Sequence, residues 1–152
     1  MKTEQNALRF VELSKDDSQH ISAIENLAHS HPMSLKNIQS CFGPLYHNIG
    51  ILVEQQLVAF AIIHQVVDEA TLMDICVSPN VQGQGLGKVL MAELIQAAKK
   101  RQAAFLQLEV RASNQSAIQL YIKSGFAETG KRKEYYPSAK GREDAILMEL
   151  QL

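Results

Sequence analysis

Long apolar runs, an excess of either charge and clustered cysteines are all missing from this chain of 152 residues, and each absence closes off a class of function. No uninterrupted apolar stretch approaches the roughly 20 residues that cross a bilayer. The start, Met1-Lys2-Thr3-Glu4-Gln5, lacks the apolar core of a secretory signal. A cytoplasmic protein without membrane contact is expected. Lysine and arginine number 15 against 16 acidic residues, a formal net charge of -1. A nucleic-acid binder would ordinarily carry a basic excess or an interleaved Arg/Lys face, so no nucleic acid is expected as partner. The two cysteines, Cys41 and Cys76, have no C-x-x-C spacing and suggest neither a disulfide framework nor a zinc motif. Cys76 lies in an apolar strand pattern, which favours a packed residue over a nucleophile. The histidines, His20, His29, His31, His47 and His64, show no H-E-x-x-H or other ligand spacing, and no metal is expected.

What is present reads as one domain spanning 1–152, with 46% apolar and 20% charged residues, the proportions of an ordinary soluble protein. No internal repeat or linker interrupts it. Leu8 to Leu13 reads as a strand. A helix opens near Asp16-Asp17-Ser18 with apolar positions at Ile21, Ile24, Leu27 and Ala28, and His31-Pro32-Met33-Ser34 breaks it. A short helix from Ser34 to Cys41 and a turn at Gly43-Pro44 follow. Ile49 to Glu54, Leu57 to Val67 and Ala70 to Val77 read as an antiparallel meander turning at Gln55-Gln56 and Asp68-Glu69. Leu86, Val89, Leu90, Leu94, Ala97 and Ala98 recur at helical spacing and predict one buried face. Lys99-Lys100-Arg101 at that helix's C-terminus complement its dipole and need no ligand. Ala104 to Val110 reads as a strand, Asn114 to Ser124 as a helix ended by Gly125, and Ala127 to Tyr135 and Ala145 to Leu150 as two last strands.

The densest signal is Val77-Ser78-Pro79-Asn80-Val81-Gln82-Gly83-Gln84-Gly85-Leu86-Gly87-Lys88, where an apolar strand ends in a glycine loop that flows into a helix. The first turn of a helix leaves backbone N–H groups unpaired and carries partial positive charge, and glycines remove side chains that would hold an anion away. The loop is not a dinucleotide fingerprint, because Lys88 stands where G-x-G-x-x-G needs its third glycine. Nor is it a Walker A loop, whose first glycine and Ser/Thr would fall on Gln82 and Val89. A flexible strand-to-helix turn remains the bland alternative. The spacing Gln82-x-x-Gly85-x-Gly87 resembles the acyl-CoA loop of the GNAT family of N-acetyltransferases, and the order of elements is similar to that family over nearly the whole chain. Leu108-Glu109-Val110-Arg111-Ala112-Ser113-Asn114, Ala117-Ile118, Leu120-Tyr121 and Ser124-Gly125-Phe126 resemble its RimI-type branch. Lys133-Glu134-Tyr135-Tyr136-Pro137 and Gly141-Arg142-Glu143-Asp144-Ala145 add to the likeness.

The resemblance implies a mixed α+β GNAT fold: a central, mostly antiparallel twisted sheet of about six to seven strands flanked by about four helices. It implies acetyl-CoA as cosubstrate and, from the RimI-type branch, the N-terminal alanine of a small-subunit ribosomal protein as acceptor; a monomer is expected. It also implies Glu109 as proton acceptor and Tyr121 as proton donor. Gln82, Gly83, Gln84, Gly85, Leu86, Gly87 and Lys88 would cradle the pyrophosphate. The backbone of Ile75, Cys76 and Val77 would pair with the pantetheine arm, and Asn114 would contact that arm.

The chemistry suits those residue types. An amine attacks a thioester only when neutral, which costs about 1.4 kcal/mol at pH 7 for an α-amino group and nearer about 5 for an exposed lysine. A carboxylate, directly or through one water, can take that proton, and a phenol can return one to the leaving thiolate. A solvated strand carboxylate and a core tyrosine are the ordinary readings of Glu109 and Tyr121, and helix capping is the ordinary reading of Asn114. An acidic groove for a basic acceptor is expected from Glu69, Asp74 and Glu134, with Asp68 nearby and Tyr135 and Tyr136 packing on the first residue. Two departures from the RimI-type pattern stand out: Gly83 replaces a common arginine, and Met33 replaces an aromatic. Acetylation of a small amine or a lysine, and a non-catalytic acyl-CoA sensor, are the alternatives.

Overall fold

A computed structural model describes residues 8–152; the reading of the Met1–Gln5 start lies outside them. The chain forms one seven-stranded sheet in the order β1-β2-β3-β4-β5-β7-β6. The strands are β1 (Leu8–Glu12), β2 (Tyr46–Val53), β3 (Gln56–Val66), β4 (Glu69–Val77), β5 (Phe105–Arg111), β6 (Ala127–Ser138) and β7 (Gly141–Gln151). Among the described residues four α-helices flank it: α1 (Ser18–Ala28), α2 (Leu35–Gln39), α3 (Leu86–Lys100) and α4 (Gln115–Lys123). Every neighbouring pair is antiparallel except β4 and β5, which α3 connects in parallel. The expected architecture of six to seven strands and four helices is the one observed.

Strand β3 explains the layering. Its side chains alternate, so Ala59, Ala61 and Ile63 face the cluster under α3, while Phe60 and Ile62 face the cluster under α1 and α2. Helix α3 presents Leu86, Leu90, Met91, Leu94 and Ala98 to the first cluster, and each large side chain contributes about 2 kcal/mol on burial. Ile21, Ile24 and Ile38 close the second. Two expected core positions differ: Val89 and Leu27 are exposed, because the buried stripe of α3 runs through Met91 instead and α1 meets the sheet along Ile21, Ile24 and Glu25.

The hairpin turns also fall one residue earlier than the sequence suggests. Glu54 and Gln55 adopt φ of 51° and 69°, and Val67 adopts 55°. These are left-handed conformations that glycine or asparagine would normally mark, so the sequence carried no signal for them.

One irregularity in β4 matters for everything that follows. The β3–β4 register slips between Ile62 and Ile63, leaving Met73 as an extra residue. Ala70 and Leu72 belong to the α3-side core, and strict alternation would send position 74 there too. The bulge instead turns Asp74 and Cys76 toward α1.

Candidate active site

The glycine loop is built as its composition suggests. Gly83 and Gly85 have φ of +83° and +78°, and Gly85 is the N-cap of α3. A Cβ at either would meet nothing within 4 Å, so the demand for glycine comes from the backbone conformation and from the open space in front of it. The Gly85 carbonyl accepts from Val89 N–H at 3.1 Å, while the amides of Gly83 through Lys88 donate to no backbone group among the described residues. Gln82 Nε2 donates to the Val77 carbonyl at 3.1 Å and ties the loop to the end of β4. A run of free amides at a helix N-terminus suits a diphosphate.

Beside this loop the sheet splits. Strands β4 and β5 pair only at Glu69–Phe105, Ala70–Leu106 and Thr71–Gln107, after which they diverge. Ile75, Cys76 and Val77 remain bonded to β3 and leave their other backbone edge without a partner strand among the described residues. The gap is a cleft of about 1060 Å³. Its walls carry Ile75, Cys76, Val77, Gln82, Gly83, Gly85, Leu86, Gly87, Lys88, Glu109, Asn114 and Tyr121; of the expected coenzyme contacts, only Gln84 is absent.

Tyr121 is buried at 7% exposure and packs against Phe126 at 5.7 Å between ring centroids. Burial, with a smaller contribution from the charge of Asp74, pushes its phenol above the ordinary range, so it holds its proton at neutral pH. Asn114 caps α4, its Oδ1 accepting from Ala117 N–H at 3.2 Å, so the capping role is realised while its side chain also lines the cleft.

Glu109 stands between the cleft and a second cavity of about 520 Å³ that opens toward β6 and β7. Arg132 Nε donates to Glu109 Oε1 at 3.1 Å, and the same guanidinium lies 5.1 Å from the centre of the Tyr135 ring. Arg111 lies 4.5 Å from the Tyr136 ring, and the two tyrosines meet edge to face at 4.9 Å. Tyr136 lines both cavities and Tyr135 the smaller. Burial and the Glu109 charge raise the Tyr136 phenol.

The acidic groove is only partly assembled. Asp74 lines the cleft, but Glu69 sits at the opposite end of β4 and Glu134 lines neither cavity. Glu134 has φ of 51° and its N–H donates to Asp144 Oδ1 at 2.9 Å, so its backbone shapes the irregularity that precedes Tyr136. Residues that sequence reasoning missed take the vacant parts. Arg132 reaches Glu109 from β6, and Glu25 of α1 and His29, the C-cap of that helix, face Asp74. Burial, reinforced by Asp74, pushes the Glu25 carboxyl up to about 8, and the Asp74 carboxylate raises His29. The i,i+4 spacing of Glu25 and His29 was the one available signal; a partner on β4 was not readable.

The acetyltransferase (GNAT) family model matches residues 8–126. A [ribosomal protein bS18]-alanine N-acetyltransferase of Escherichia coli (strain K12) is 49% identical over 127 residues, covering 84% of this chain and 86% of that one. The protein of the same description from Haemophilus influenzae is 42% identical over 133 residues, covering 87% and 90%. The crystal structure of the ribosomal-protein-S18-alanine N-acetyltransferase from Escherichia coli superposes with a TM-score of 0.91 at 44% identity, covering 95% of this chain and 93% of that chain. A chain from Salmonella typhimurium solved with acetyl-CoA shares the fold at a TM-score of 0.80 and 20% identity, covering 97% of this chain and 95% of that one.

Proposed function

Since this chain belongs to the acetyltransferase (GNAT) family and is an acetyl-transferring enzyme, we propose that residues 1–152 form one cytoplasmic domain that acetylates the N-terminal alanine of a ribosomal protein. The relatives that carry this activity in their names are alike over nearly their whole length. The observation that supports the reading most directly is the split between β4 and β5. It offers an unpaired strand edge leading from the free amides of the Gly83–Lys88 loop to the carboxylate of Glu109 and the phenol of Tyr121.

The residues fit acetyl-CoA as donor. The loop amides hold the pyrophosphate, and the Ile75–Val77 edge, with Asn114, holds the pantetheine arm as an added strand would be held. The cosubstrate supplies an acetyl group activated as a thioester. Glu109 accepts the proton that the α-ammonium group must lose before it attacks, directly or through one water. Tyr121, kept protonated by burial, donates its proton to the departing thiolate sulfur and so opposes the reverse reaction. Tyr135 and Tyr136 border the acceptor's approach over Glu109, and Asp74 is the acidic group on the same route.

The test offers acetyl-CoA with a peptide beginning at alanine, with the same peptide blocked at its N-terminus, and with a polyamine and an internal lysine. Acetylation confined to the free α-amine is expected. Turnover of the polyamine or lysine in preference to that α-amine would overturn the acceptor assignment.

A further inference from the structure

Three side chains with metal-ligating atoms meet in the cleft wall, and the acetyl transfer described above uses none of these atoms as a reacting group. Glu25 lies in the last turn of α1 and His29, four residues on, is that helix's C-cap with extended backbone, while Cys76 lies on β4 two residues beyond Asp74. His29 Nε2 is 3.4 Å from Asp74 Oδ1 and 3.7 Å from Glu25 Oε1. One ligating atom from each of Glu25, His29 and Cys76 falls within 4.8 Å of the others. Tetrahedral ligands on zinc bonds of about 2.0–2.3 Å stand roughly 3.3–3.8 Å from one another, so His29 Nε2 and Glu25 Oε1 already have that spacing and the Cys76 sulfur needs an approach of at most about 1 Å.

The polar inventory points outward from the protein. Glu25 Oε1, His29 Nε2 and Asp74 Oδ2 are buried with no hydrogen-bond partner among the described residues. The Glu25 side chain is only 3% exposed. Its other oxygen, Oε2, accepts from Met33 N–H at 2.8 Å, which orients the carboxylate and leaves Oε1 directed at the cluster. Buried polar atoms without partners are costly, and a single cation bonded to Glu25 Oε1 and His29 Nε2 removes that cost for both. His29 and Asp74 keep partial exposure on the cleft, which supplies an entry path.

We propose that Glu25, His29 and Cys76 form a binding site for one divalent cation of the zinc type, its fourth position open to the cleft. The mixed sulfur, nitrogen and oxygen donors select such an ion over magnesium or calcium, which take oxygen donors. Cys76 binds as the thiolate: its proton leaves to solvent, and its present contact to the Ile24 carbonyl, at 3.8 Å, is given up. The ion is not part of the acetyl transfer. It occupies the α1 side of the wall whose β4 edge borders the coenzyme cleft, so its binding restricts that cleft. The sequence spacing shows no metal motif because the ligands come from segments 45 or more residues apart and are juxtaposed only by the Met73 bulge.

The probe is Co²⁺ added to the metal-free protein near neutral pH, followed by absorption spectroscopy. One equivalent should give the intense visible bands of tetrahedral cobalt and a near-ultraviolet thiolate-to-cobalt charge-transfer band, and Zn²⁺ should bleach both. Cys76→Ala should abolish the charge-transfer band, with Cys76→Ser as a second variant should the first fail to fold. His29→Ala and Glu25→Gln should each weaken binding at least tenfold, while Cys41→Ala, removing the other free thiol, should leave the spectrum intact. A wild-type protein without a tetrahedral spectrum in excess Co²⁺, or a charge-transfer band that survives in folded Cys76→Ala, overturns the proposal. Because the readout is spectroscopic, it stands or falls independently of the acetyl-transfer assignment.

Discussion

Arg132 on β6 and Glu109 on β5 are joined by a 3.1 Å ion pair although another strand, β7, lies between theirs in the sheet. The guanidinium also covers Tyr135, so one side chain contacts both the proposed base and an aromatic wall of the proposed acceptor route. Arg132→Ala is expected to lower kcat by about tenfold to a hundredfold through misplacement of the Glu109 carboxylate, with a smaller change in acetyl-CoA affinity. Arg132→Lys should recover part of the loss, since it keeps the charge but not the planar fork. Steady-state kinetics that showed only a KM change for the acceptor would assign Arg132 to binding alone.

Replacing the proposed proton acceptor has a pH signature. Glu109→Gln should reduce kcat/KM by about 10²–10⁴-fold at pH 7. The deficit should shrink as pH rises through about 8, where an α-amino group loses its proton unaided. Tyr121→Phe should lower turnover without that recovery, because the missing proton belongs to the leaving group. Calorimetry should find coenzyme binding retained in both variants; turnover equal to wild type in both would remove the assigned roles.

Gly85 has φ of +78° with open space where a Cβ would project. Gly85→Ala should therefore cost about 1 kcal/mol of stability from backbone strain and no more from packing. The added methyl intrudes on the anion site, so coenzyme affinity should fall at least about tenfold, equivalent to about 1.4 kcal/mol. Urea denaturation and isothermal titration separate the two effects. Unchanged affinity would place the pyrophosphate elsewhere.

Acid stability should be governed in part by His47. Burial, with a smaller contribution from Arg101, depresses its imidazole from 6.5 to about 4. Between those two values the unfolded chain binds a proton that the folded chain refuses, so stability falls as pH drops from 6.5 toward about 4. The loss should amount to about 2–3 kcal/mol over that window. Chemical denaturation at stepped pH should show this slope reduced in His47→Gln; an identical slope in that variant would acquit the residue.

Much of this architecture was legible in the order of residues because its causes are local. Glycines in alternation before an apolar 3.6-period pattern specify a free helix N-terminus wherever the chain goes, and the spacing of Leu86, Leu90, Leu94 and Ala98 specifies one buried face. The same locality explains Asn114, whose side chain caps α4 three residues on. What the sequence left open depends on pairing between distant segments. Leu27 and Val89 fit the helical period yet face solvent, since period alone does not say how wide a stripe the sheet covers. Glu69 and Glu134 are acidic like Asp74, but strand register carries one to the far end of β4 and leaves the other outside the lining of both cavities.

By itself, then, the sequence determined the elements, their order, the glycine loop and the residue types able to move protons. Tertiary structure decided where β4 parts from β5, which way Asp74 and Cys76 face beyond the Met73 bulge, and that Arg132 reaches Glu109. The physical reason is that helix and turn preferences act within a few residues of one another, whereas strand divergence, bulge placement and ion pairing are settled by packing among segments tens of residues apart.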